Sequence, residues 1–217
     1  MNFLSEVSYE EVVGQWLQRE YSIAVKKGRC LPNQEALVLD TDYRNPIKNQ
    51  QRFLLLKYRW NLLCPIPRGT KWYKAKITKG DLTSLRVIND EANEKAWSIL
   101  SDRTGMIKRA SDNFIDWPQN PQNIPTISHP QTKQLLTKLL ADIAGFRSRA
   151  GNANQDLTLI LVGTSKEEHF TVLEGNKTSI GLYLHHFVDH PDSDYPEHHA
   201  YVGTSPAMNY YPWHHRT

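Results

Sequence analysis

The segment that most constrains this chain is residues 157–187, LTLILVGTSKEEHFTVLEGNKTSIGLYLHHF. LTLILVG is a continuous apolar run of strand length, the pattern of a strand covered on both faces. SKEE makes a tight turn, and HFTVLE returns as a second strand, close enough in sequence for a hairpin. The second strand stops at Glu174-Gly175, and a helix runs from there to Pro191. Upstream, HPQTKQLLTKLLADIAGF carries Leu135, Leu136, Leu139, Leu140 and Ile143 on one stripe and reads as an amphipathic helix. A helix, a buried hairpin and a second helix in this order predict an α+β fold: a small mixed sheet with flanking helices.

The strand–glycine–helix junction has two readings. A helix start leaves about four backbone N–H groups unpaired and carries about half a positive charge. A phosphate placed there satisfies both. In that reading Gly175 lets a ligand approach the backbone, and Asn176, Lys177, Thr178 and Ser179 supply donors. Glu174 at the strand end takes a proton or helps to hold a metal ion. In the plainer reading Glu174-Gly175 is a turn, Asn176 or Ser179 caps the helix, and Lys177 is solvated.

The order of elements around Glu174-Gly175-Asn176-Lys177-Thr178 resembles the nucleotide-binding core of the ParB/sulfiredoxin superfamily over residues 113–205. In that superfamily a hairpin strand runs into a glycine-led signature ending in arginine at a helix start. Partitioning proteins have Gly-Glu-Arg-Arg, sulfiredoxins Gly-Cys-His-Arg and free-serine kinases Asp-Gly-His-His-Arg. The resemblance implies a nucleotide or other phosphate ligand at the junction, with Mg²⁺ arriving on ATP, ADP or CTP and Glu174 serving a kinase-like phosphotransferase or a nucleotide hydrolase. This chain departs from the pattern in two places. The phosphate-binding arginine falls at Thr178, with Lys177 beside it lacking the bidentate fork. Asn176 stands where sulfiredoxins have cysteine, which excludes their chemistry. The arginine-rich box of partitioning proteins is absent as well.

The rest of the chain is helix-rich and basic. Residues 5–25 form a helix candidate with Val12, Val13, Trp16, Leu17 and Tyr21 near helical spacing, and Ser8 with Glu11 fits a capping box. Gly28 is its expected stop. Residues 51–63 form a second helix, WYKAKIT a strand, and DLTSLRVIN and EANEKAWSILSD read as helical. The four prolines of residues 115–130 suggest a linker or an ordered loop, which divides the chain into a helix-rich region, 1–112, and a ParB-like domain, 113–217, either separate or packed as one globular unit. Residues 1–150 hold 23 Lys and Arg against 15 Asp and Glu, whereas residues 151–217 hold 3 against 8. Residues 44–79 hold ten basic residues and no acid. With interleaved aromatics they predict, as an alternative function, a nucleic-acid-binding or nuclease surface on Arg52, Lys57, Arg59, Lys71 and Lys74. The plainer reading puts the aromatics in the core and the cations in solvent, or docks the cations on the acidic C-terminal part. A non-catalytic interaction module is the third reading.

VGTS occurs at 162–165 and 202–205. The second copy would bring Thr204 and Ser205 to the junction as substrate-binding donors. Eight of nine histidines follow residue 150. They read as surface or supporting residues, and no metal site is expected. Cys30 and Cys64 read as free buried thiols in a reducing cytoplasm. No signal peptide or membrane span is visible, so the reading is a cytoplasmic protein without a membrane partner.

Overall fold

The computed structural model describes residues 1–26, 34–90, 96–150 and 158–215. In chain order its elements are β1 (Asn2–Val7), α1 (Tyr9–Lys26), α2 (Glu35–Leu39), α3 (Pro46–Leu55), α4 (Trp60–Leu63), β2 (Lys71–Ile77), α5 (Ala96–Leu100), α6 (Ile107–Gln119), α7 (Pro130–Arg147), β3 (Leu159–Gly163), β4 (Thr171–Glu174), α8 (Asn176–Leu184) and β5 (His198–Thr204). Short 3-10 segments lie at Lys57–Arg59, Gly80–Thr83, Pro121–Asn123 and Pro206–Tyr210, and a π-helical turn at His185–Asp189 extends α8.

The five strands form one mixed sheet in the order β1-β2-β5-β3-β4. All pairs are antiparallel except β3–β5. The fold is α+β, as the sequence predicts. Side chains alternate across each strand, and both faces are covered. Leu159, Leu161, Val172, Ala200, Val202, Ala75 and Ile77 point to one core with α5, α6, α7 and α8. Ile160, Val162, Leu173, Tyr201 and Trp72 point to the other. That second core holds the α1 stripe of Val12, Val13, Trp16 and Leu17, together with Met208, Tyr211 and Trp213.

The division at 112/113 falls inside α6, and the two regions share the sheet, with β1 and β2 from one and β3 to β5 from the other. They are built around common cores. The stretch is no linker: α6 runs to Gln119 with Trp117 buried and Pro118 in its last turn, and residues 120–129 are an ordered loop with one 3-10 turn. The 51–63 helix is broken at Leu56. Asn45 caps α3 by accepting from the N–H groups of Ile47 and Lys48, and a 3-10 turn separates α3 from α4. The short apolar piece ALVL forms all but the first residue of α2. DLTSLRVIN is one 3-10 turn and then extended chain, where Arg86 bridges to Met106 and Thr171. Strand β1 replaces the expected start of α1, and Ser8 Oγ accepts from Glu11 N at 3.1 Å. Gly28 and Cys30 lie outside the described residues. No helix among the described residues is long and apolar enough to cross a membrane.

Candidate functional site

Strand β4 carries an extra residue against β3: Leu161 pairs with Val172, and Ile160 with Glu174. Such a bulge breaks the strict alternation and re-aims the side chain next to it. Glu174 leaves the sheet where two arginines from distant segments meet it. Arg19 on α1 donates through Nη1 to the Thr158 carbonyl at 2.6 Å and through Nη2 to Thr178 Oγ1 at 3.1 Å. Its Nη2 lies 3.9 Å from Glu174 Oε1. Arg59, in the 3-10 turn before α4, donates through Nε and Nη2 to Glu20 Oε1 at 3.0 and 2.5 Å. Its Nη2 lies 3.7 Å from Glu174 Oε2. Both distances to Glu174 exceed a hydrogen bond. The carboxylate is flanked without being clamped, and it keeps 16% of its side chain exposed.

The electrostatics follow from this packing. Burial opposes the charge of Arg59, but the carboxylates of Glu174 and Glu20 outweigh it and hold the guanidinium above its ordinary value. Burial and the Glu20 charge push the Tyr58 phenol up to about 12. Two guanidinium groups face two carboxylates, so the cluster has no net charge of its own.

Thr178 is the position where the resemblance places an arginine. Here its hydroxyl accepts from Arg19, which is 159 residues away in sequence. Gly175 adopts φ +100°, and a Cβ there would lie 2.5 Å from Leu159 Cδ2 and 3.1 Å from Arg19 Nη1. The glycine therefore lets the chain turn and lets Arg19 lie against it.

The other expected phosphate donors are engaged inside the fold. Asn176 Oδ1 accepts from the buried Ile88 N–H at 2.8 Å. Ser179 Oγ donates to the Gly175 carbonyl at 3.0 Å. Lys177 Nζ pairs with Asp142 on α7. Of the residues 175–179, only Gly175 and Thr178 meet the arginine cluster.

Thr204 and Ser205 are not at this site. Strand β3 runs parallel to β5 and antiparallel to β4, so Thr204 is level with Gly163 while Glu174 is level with Ile160. Three rows separate them, about 10 Å along the strands, and they belong to opposite ends of the sheet. Ser205 Oγ accepts from Ala207 N at 3.3 Å and caps the 3-10 turn.

The basic stretch is also dispersed. Arg52 is a correction, because it is fully buried. Arg59 belongs to the Glu174 cluster. Lys57 and Lys71 are exposed and Lys74 is half-buried. Lys71 and Lys74 are three residues apart on β2 and leave opposite faces. Lys48 pairs with Asp40, and Lys76 with Glu197.

The histidines are less exposed than their composition suggests. His186, His198, His214 and His215 are buried. The His214 ring shares a hydrogen bond with Thr171 Oγ1 at 2.9 Å. The π-helical turn gathers His185, His186 and His190, and Tyr195 stacks edge-on between His186 and His198. Among the described residues, no group of three His, Cys, Asp or Glu side chains is placed to hold a metal ion. Burial, then the neighbouring His185 and His198, push His186 down to about 4, from an ordinary 6.5. Between these values the unfolded chain binds more protons than the folded one, so stability rises with pH and is lost on acidification. The expected result is a urea midpoint that falls from pH 6.5 toward 4, with a flatter fall in His186→Gln. An identical slope in that variant would assign the effect elsewhere.

Arg19, Glu20 and Tyr58 escape a local reading of the sequence. One signal was present: Arg19 follows Trp16 by three residues and takes the next place on the apolar stripe of α1, where a charge calls for a partner. Among known proteins, the chain matches no family model, no curated protein and no solved structure.

Proposed function

We propose that this chain binds a magnesium nucleotide at the Glu174-Gly175 junction, as the ParB/sulfiredoxin-like core it resembles does, with Arg19 and Arg59 holding the phosphates. One observation carries the reading. Two guanidinium groups from separate elements lie within 4 Å of one partly exposed carboxylate at a glycine-led helix start. Guanidinium forks suit phosphate oxygens, and the helix start adds partial positive charge.

The charge balance gives Mg²⁺ a role. A bare phosphate would add negative charge beside Glu174 and Glu20. Glu174 would hold a cation arriving with the nucleotide, and that cation would offset the repulsion. The ion comes with the substrate. In a phosphotransferase, Glu174 would hold that ion or take the acceptor proton, and catalysis would rest on positioning and charge stabilisation. The exposed free thiol of Cys64 suits a reducing compartment, so we place the protein in the cytoplasm.

Thermal unfolding tests this. ATP, ADP or CTP at about a hundredfold excess over its Kd, with Mg²⁺, is expected to raise the melting temperature by about 5 °C. The rise shrinks without Mg²⁺ and is lost in Arg19→Ala and Glu174→Gln. No shift with any of the three nucleotides in the presence of Mg²⁺ would reject the proposal.

A further inference from the structure

A cavity of about 610 Å³ lies between the start of α1, helices α3 and α4, and β2. It shares no residue with the Glu174 cluster. Its volume falls in the range of small-molecule sites, which are mostly apolar with a few placed polar groups. Tyr9 and Trp72 form a stacked wall, with ring centroids 5.8 Å apart and 20° between planes. Phe53 meets Tyr9 at 5.5 Å. Tyr9 Oη donates to the Leu63 carbonyl at 3.4 Å, which ties this wall to α4. Trp60 lines the opening and is 48% exposed. Packing thus leaves Trp60 and part of Tyr9 uncovered inside a concave site, while Trp72, 3% exposed, backs the wall.

The polar groups narrow the ligand. Arg68 is exposed and is the one charged side chain among the described residues that line the cavity. Cys64, expected to be buried, is exposed on the same wall as a free thiol. Aromatic walls favour a flat ring system in offset or edge contact. One guanidinium at the rim favours a single anionic group, held by a charge-assisted hydrogen bond. We infer that this cavity is a binding site for a planar aromatic anion of about two fused rings, its ring against Tyr9 and Trp60 and its acid group on Arg68.

The probe is 8-anilinonaphthalene-1-sulfonate, an aromatic anion of this size. With the folded full chain it is expected to bind saturably at one site. In the Cys30→Ser protein it should slow maleimide labelling of Cys64 severalfold. Arg68→Ala is expected to weaken binding about tenfold. Cys64→Trp fills the cavity from its own wall and should abolish binding with little change in melting temperature. Absence of saturable binding, undiminished affinity in both variants, or labelling of Cys64 unaffected by the probe would each overturn the inference. If Cys64→Trp does not fold, the labelling of the Cys30→Ser protein decides.

Discussion

Gly175→Ala is expected to lower the unfolding free energy by about 3 kcal/mol, from a left-handed backbone penalty of ~1–2 kcal/mol and overpacking of ~1–3 kcal/mol. The backbone at this residue sits at φ +100°, and the new methyl carbon would lie 2.5 Å from Leu159 Cδ2. Leu159 is fully buried in the core it shares with α8, so its Cδ2 can yield only by shifting packed neighbours. Gly69 provides the comparison. It too is left-handed, at φ +81°, but nothing lies within 4 Å of a Cβ there. Gly69→Ala therefore pays the backbone term alone, about 1 kcal/mol. Urea unfolding of both variants separates the contributions. Equal losses would mean that the Leu159 contact is relieved and that packing does not require the glycine. The expected result also divides the junction's features. Gly175 is explained by the fold itself, so the case for a ligand rests on Arg19, Arg59 and Glu174.

Arg52→Ala is expected to cost about 2 kcal/mol, the scale for leaving a buried polar partner unpaired. Arg52 Nη1 donates to Asn49 Oδ1 at 2.6 Å and to the Asp42 carbonyl at 3.1 Å. Its Nη2 donates to the Asp40 carbonyl at 2.7 Å and to Asp40 Oδ1 at 3.1 Å. The guanidinium also lies over the Tyr43 ring. It organises the turn between α2 and α3, and its removal leaves the buried Asn49 Oδ1 without this donor. Arg52→Lys is expected to recover less than half of the loss, because an ammonium cannot reproduce the planar fork. Urea midpoints of the two variants check this. A variant that keeps its stability but loses affinity for DNA or RNA would return Arg52 to the nucleic-acid surface.

The parts of the fold that were legible are those where burial is written in a short window. LTLILVG reads as a doubly covered strand because every residue from Leu159 to Gly163 is buried. The α8 start is similarly local, and the α7 stripe is legible at Leu136, Leu139 and Ile143, whereas Leu135 is exposed and Leu140 half-buried. Strand β1 was missed because NFLSEV lies at the sheet edge with only Phe3 and Val7 half-buried after Asn2, so it has no regular alternation. Helix α6 was missed because Asp112, Asp116 and Pro118 obscure its buried face of Ile107, Ala110, Ser111 and Trp117. The candidate site was half legible. Glu174 and Gly175 stand in one motif, but Arg19 and Arg59 reach them only through the packing of α1 and the 3-10 turn before α4 on the sheet. The direction of β5 decided Thr204 and Ser205, and no local pattern distinguishes a parallel neighbour from an antiparallel one.

The strand order has a consequence for biosynthesis. The chain is made from its N-terminus, yet β5, the last strand, lies between β2 and β3. Until residues 198–204 emerge, β1–β2 and β3–β4 are two separate ribbons, and β2 and β3 each show an unpaired edge. Sequential folding of an N-terminal half and then a C-terminal half is therefore closed to this protein. Its sheet is completed by a late insertion, and during the wait the nascent chain exposes two strand edges open to wrong partners.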